Sequence, residues 1–192
     1  LLVYVSAWLK RHEPACFLAA MLNSLPMGFY GPSQLVQDAQ RHGVEVLPVD
    51  VAHSEWLCTV IGSTAPRVRL GLCLISGLSQ AAVQRLLSAR ASAAFADIAD
   101  LAQRSGLAQH ELACLAKADA MRHLAGHRRL QWWAASAAHD GVPLLGSDVD
   151  VGVGVGVGAD VDVESDTANT DWLPAASFGE EVIQDYASTQ LS

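Results

Sequence analysis

Residues Gly71–Arg90 read GLCLISGLSQAAVQRLLSAR: an apolar run, a tight turn at Ser76-Gly77-Leu78-Ser79, and a helix whose start signal is in place. Gly77 can take the positive φ that a tight turn needs, and Ser79 is a good N-cap for a helix with Val83, Leu86 and Leu87 on one face. Such a turn aims free backbone N–H groups, together with the positive end of the helix dipole, at whatever sits beyond the helix start. That position suits an anion. Arg69, Arg85 and Arg90 lie nearby in sequence. The same twenty residues also suit an ordinary helix-turn-helix packing unit, so the rest of the chain has to decide between the two.

The chain has 192 residues, 51% of them apolar, which is enough for one domain or for one domain and a tail. Its net charge of -8 is unevenly spread. All 12 Lys and Arg residues lie between Lys10 and Arg129, where 9 acidic residues leave a surplus of +3. From Leu130 onward there are 11 acidic residues and no basic ones. A mildly basic folded part therefore precedes an acidic tail, a balance that permits nucleic-acid binding without demanding it. Cys16, Cys58, Cys73 and Cys114 form no CxxC pair, which fits neither a zinc pattern nor a disulfide framework and suits a reducing, cytoplasmic setting. Lys10 and Arg11 interrupt the apolar start, so neither a signal peptide nor a membrane helix is expected. Starting with Leu, the chain reads as a piece of something longer.

In chain order, Leu1 to Arg11 reads as the end of a helix, and Pro14 opens a second that runs to Asn23. Pro32 opens a third, which Gly43 closes. VEVLPVDV turns extended, and WLCTVIG and RVRLGL, separated by STAP, pair as a short β-hairpin. Further helices follow in AFADIADLAQRSG, with Gly106 as its stop, and in HELACLAKADAM and GHRRLQWWAASAAH. The Val-Gly alternation within SDVDVGVGVGVGADVDVESDTANTD reads as a disordered linker rather than a strand, because a glycine at every second position leaves one face nothing to bury. Val182, Ile183 and Tyr186 then resume helical spacing. The expected fold is mainly α, with short helices, one small β-hairpin and an acidic Val/Gly tail.

Few residues invite chemistry. His123 and His127 have a helical metal-ligand spacing, yet no carboxylate or thiol supports them. Asp97 and Asp100 read as a solvated helix face, and two-metal phosphoryl transfer would need carboxylates clustered at strand ends. No residue is expected to be catalytic and none to hold a metal. Arg67, Arg69, Arg85, Arg90, Arg122, Arg128 and Arg129 read either as one basic face or as scattered surface charge. Trp132 and Trp133 suit core packing better than base stacking, since adjacent helical residues cannot face one way.

The opening stretch resembles a helix-hairpin-helix, a module that grips duplex DNA through its phosphates. More broadly, WLKRHEPACFLAAMLNS, PMGFYGPSQLVQDAQRHGVEVLPVDV, RLGLCLISGLSQAAVQRLLSAR and LAKADAMRHLAGHRR, in that order, resemble the bacterial C-family DNA polymerases. Among these the likeness is to the error-prone, damage-inducible relatives of the DNA polymerase III alpha subunit. It covers roughly residues 1–133 and resumes at 180–192.

The resemblance implies the end of the polymerase fingers region over 1–66, the helix-hairpin-helix region over 67–140, a low-complexity linker over 141–179, and the start of a following segment at 180–192. It implies a nucleotidyltransferase active in translesion synthesis, DNA repair and replication. Its magnesium-binding carboxylates would lie outside this segment, which itself would need no cofactor. Gly77, Leu78 and Ser79, with Arg69 and Arg85, match the duplex-contacting part. Tyr4 matches a position where relatives set an aromatic ring against the incoming deoxynucleoside triphosphate, although helix packing explains it equally well. Other translesion or replisome proteins are expected as further partners, a membrane is not, and Gln190-Leu191-Ser192 reads as linker rather than as a clamp-binding peptide. Ser76 and Ser79 stand where relatives often have a lysine and a second glycine, which should weaken phosphate binding. The rival readings are a free-standing, non-enzymatic DNA-binding module and a remnant without function.

Overall fold

The computed structural model describes residues 1–27, 30–138 and 176–189. The Val-Gly tract, the 190–192 peptide and Phe29 lie outside the described residues. Two helices open the chain, α1 (Leu2–His12) and α2 (Pro14–Asn23), and Pro14 sits in the first turn, where its missing N–H costs nothing. Helix α3 (Pro32–Arg41) follows in the same way, and Gly43 leaves it at φ +82°. These bounds match those expected from the prolines and glycines.

The β element is larger than expected. Strands β2 (Thr59–Ile61) and β3 (Arg67–Arg69) form the antiparallel hairpin, with Val60 opposite Val68. A third strand, β1 (Glu45–Leu47), runs parallel to β3 and sets Val46 beside Val68, so β3 is central and its Val68 is fully buried. The extended VEVLPVDV segment supplies β1. The sheet joins residues on both sides of position 66. Asn23 at the end of α2 fastens the hairpin, its side chain donating to the Cys58 carbonyl (3.0 Å) and accepting from the Cys58 amide (2.8 Å).

Beyond a 3-10 turn at Leu72–Leu74 come α4 (Gln80–Ser92), α5 (Ile98–Ser105), α6 (Gln109–Lys117), a single turn α7 (Arg122–Ala125), α8 (Arg128–Ala137) and α9 (Phe178–Thr189). The core is continuous from α2 through the sheet into α4, α5 and α6, with Leu22, Val68, Leu72, Leu86, Leu101, Leu112 and Leu115 all but inaccessible. Two polar ties hold the sheet region to the later helices. Arg90 on α4 donates to the carbonyls of Val51 (3.2 Å) and Ser54 (2.7 Å), and the Val51 amide donates to the Ala120 carbonyl (2.9 Å). Asp50 adds a third: its carboxylate accepts from the Ala52 amide and faces His53 (2.6 Å) and His123 (3.0 Å). Burial works to raise the Asp50 carboxyl, but these contacts outweigh it and hold it below the ordinary carboxylate value.

Three sequence readings need correcting. Trp132 and Trp133 do not enter the core; they are 45% and 49% exposed, because α8 turns Gln131 and Ala135 inward instead. The buried Gln131 amide accepts from the Met121 amide and donates to Asp119 and to the Gly126 carbonyl, so a polar side chain knits the turn before α8. Asp97 and Asp100 are helix caps rather than a merely solvated face: Asp97 accepts from the Asp100 amide (2.7 Å) and Asp100 from the Ala96 amide (3.1 Å). The arginines are not simply scattered charge, since several serve as internal donors.

Candidate nucleic-acid interface

The turn before α4 is built as the sequence requires. Gly77 has φ +83°, and a Cβ placed there would lie 3.0 Å from Cys114 Sγ, so the turn is seated directly on α6. Ser79 is extended (φ -80°, ψ 151°), and its hydroxyl accepts from the Ala82 amide (3.1 Å), capping α4. Among the described residues the Gly77 and Ser79 amides have no hydrogen-bond partner, while Leu78 makes only a long bond to the Ile75 carbonyl (3.4 Å). The Ser76 amide is taken: it donates to the Ser188 carbonyl near the end of α9 (2.8 Å). Open amides beside the positive end of a 13-residue helix form a donor site suited to an anion.

A second turn repeats this build. Ser105-Gly106-Leu107-Ala108 joins α5 to α6 with Gly106 in the left-handed region (φ +58°) and Ala108 extended (φ -72°, ψ 158°). It was missed in the sequence, although SGLSQ at 76–80 and SGLAQ at 105–109 differ at one position. Five residues are a short repeat, and Gly106 reads equally well as an ordinary helix stop.

The expected arginines are placed as follows. Arg85 donates through Nη2 to Glu111 (2.8 Å) and through Nε to the Ser105 carbonyl (3.3 Å), so it reaches the second turn rather than the first. Arg69 donates to the Pro48 carbonyl (3.1 Å) and lines a cavity of about 440 Å³ that it shares with Asp50, Asp119 and Asp185. Burial raises the Asp119 carboxyl above its ordinary value, and Arg128 works against it. Arg128 pairs with Asp185, and Arg129 with Glu180, across α8 and α9. Tyr4 stands on α1, 72% exposed. The half-exposed Trp132 and Trp133 line a cleft of about 450 Å³ with Lys117, whose ammonium lies 5.4 Å from the Trp132 ring centroid.

Paired glycine turns feeding capped helices define a helix-hairpin-helix protein, and residues 43–131 match the helix-hairpin-helix motif family. Longer stretches resemble proteins named error-prone DNA polymerase. The one from Alkalilimnicola ehrlichii is 53% identical over 147 residues, covering 76% of this chain and 14% of the relative. That from Bordetella parapertussis is 48% identical over 195 aligned residues, 100% of this chain and 17% of the relative. That from Methylococcus capsulatus is 51% identical over 164, covering 75% and 16%. Over most of its length the chain is thus similar to bacterial proteins named error-prone DNA polymerase, as the sequence resemblance implied, and it spans only 14–17% of the length of these relatives.

Proposed function

We propose that this segment holds duplex primer-template DNA for an error-prone DNA-directed DNA polymerase, a nucleotidyltransferase acting in the cytoplasm in translesion synthesis, repair and replication. The carrying observation is the pair of open amides at Gly77 and Ser79, beside Leu78 at the start of α4. Backbone N–H groups bind phosphate oxygens without reading bases, which suits an enzyme that must accept any sequence and damaged templates. Tyr4 is the residue assigned to the base of the incoming deoxynucleoside triphosphate, and other translesion or replisome proteins are the expected companions of the whole enzyme.

The reaction joins a primer 3'-hydroxyl to that nucleotide, and magnesium would supply charge stabilisation there. The residues present do not fit the metal. Asp97 and Asp100 are spent on capping, Asp50 is filled by an amide and two imidazoles, and among the described residues no group of three His, Cys, Asp or Glu could hold an ion. This segment's share of the work is therefore grip and orientation.

The test is fluorescence anisotropy of a labelled duplex titrated with the full 192-residue chain. Weak binding is expected, with a shallow salt slope of about two to three released counterions, since few phosphates are neutralised. Gly77→Pro, which cannot adopt φ +83°, should weaken binding at least about ten-fold by scattering the amides. Circular dichroism should show the helices retained. Undiminished binding by Gly77→Pro, or a slope implying many released ions, would sink the proposal.

A further inference from the structure

The two turns share the left-handed glycine and the extended N-cap, but the Gly106 amide is spent on the Ala102 carbonyl (3.0 Å) where the Gly77 amide is open, and they differ again at the N-cap end that would face an anion. In the first, the N-cap is Ser79, whose own hydroxyl caps the helix and leaves its amide open. In the second, the N-cap is Ala108, which has no side-chain acceptor. Glu111, one turn further along α6, folds back so that its Oε2 accepts from the Ala108 amide at 2.9 Å and from Arg85 Nη2 at 2.8 Å. The carboxylate is 8% exposed, against 46% for the Arg85 side chain that reaches down to it. A negative oxygen thus already stands on the second turn's donor, where a phosphate oxygen would otherwise sit. The Arg85 guanidinium is bound to that same oxygen.

We propose that Glu111 is a built-in counter-ion, which fills the anion position of the second turn and withholds Arg85 from DNA, so that phosphate is gripped at the Gly77 turn. This rests on the duplex-binding reading above. The physical reason is charge. A phosphate approaching Ala108 would meet a carboxylate held at close range by two donors, and Arg85 can neutralise only one anion at a time. The expected weakness of DNA binding then follows from an internal pairing as well as from the absence of a lysine at Ser76.

Glu111→Gln is the direct test, because the amide oxygen can still accept from Ala108 while the charge is gone. With the full chain and a labelled duplex, E111Q should bind about five-fold more tightly at low salt, with a slope steeper by about one counterion. Adding Arg85→Gln to E111Q should abolish that gain. Arg85→Gln alone should leave the parent's slope in place, because Arg85 neutralises no phosphate there, while the unpaired Glu111 carboxylate lowers affinity; the slope does not depend on E111Q folding well. If E111Q keeps its helical signal but matches the parent slope, or if R85Q alone lowers the slope by about one ion, Glu111 is not a counter-ion against DNA. Either result leaves the duplex reading standing provided Gly77→Pro still loses binding. If the parent chain does not bind duplex, or Gly77→Pro binds equally well, the duplex reading falls and this proposal falls with it.

Discussion

Replacing Gly71 by alanine is expected to destabilise the fold by about 3 kcal/mol and to lower the melting temperature by about 6–12 °C. Its φ of -83° is one any residue adopts, so the cost comes from space. An added Cβ would stand 2.4 Å from the Leu57 carbonyl carbon and 2.6 Å from both the Cys58 nitrogen and the Trp56 oxygen. All three are backbone atoms, and they cannot swing aside. Nor can the strand shift freely. The Leu72 and Cys73 amides donate to the Glu55 and Trp56 carbonyls at 2.9 Å, and the Gly71 amide points at Cys58 Sγ at 3.3 Å. Gly43→Ala is the matched control: its φ is +82° but nothing lies within 4 Å of the added carbon, so only the backbone strain, about 1 kcal/mol, should appear. Thermal unfolding of both variants checks the order. Equal melting temperatures would show that the close approach at Gly71 is relieved without loss.

The second large effect is expected at Arg104, where alanine should cost about 3 kcal/mol and lysine about 2. Helix α4 ends at Ser92 with carbonyls that have no intrahelical partner, and Arg104 from α5 supplies donors to that end. Its Nη2 donates to the Ala89 and Ala93 carbonyls (2.5 and 2.8 Å) and to Ser92 Oγ (3.1 Å). Nη1 donates to the Ala94 carbonyl (3.1 Å) and to Asp100 (3.0 Å), and the guanidinium lies 5.0 Å from the Phe95 ring centroid. Five acceptors around one planar fork cannot be served by an ammonium, which explains why lysine rescues little. Urea unfolding should show a lower midpoint with an unchanged slope. A lysine variant as stable as the parent would mean that charge at the helix end matters and the fork does not.

The contrast between these two residues shows what could be read before the structure was known. Helix limits followed from local chemistry: Pro14, Pro32, Gly43, Ser79 and Gly106 each act within a few residues of themselves, and each sits where expected. The β2–β3 pairing was legible because a short turn joins it. Strand β1 was not, since its parallel partner lies about twenty residues on and no local signal marks the register. The arginines were least legible. Whether a guanidinium faces solvent, DNA or a carbonyl depends on which elements fold against it, so Arg85 and Arg104 look alike in sequence and do different work. The Gly77 turn needed only its own residues to be recognised, whereas the pairing of Arg85 with Glu111 at the second turn required α4 to fold against the start of α6.

The bond from the Ser76 amide to the Ser188 carbonyl gives the turn a reporter of its own. Exchange of that amide proton for deuterium requires the bond to open, so its protection factor measures the free energy of lifting the end of α9 away, while the neighbouring Gly77 and Ser79 amides exchange freely. Three amides within four residues thus separate two quantities that bulk unfolding would merge: how firmly a distant helix is docked, and how accessible the donors beside it remain.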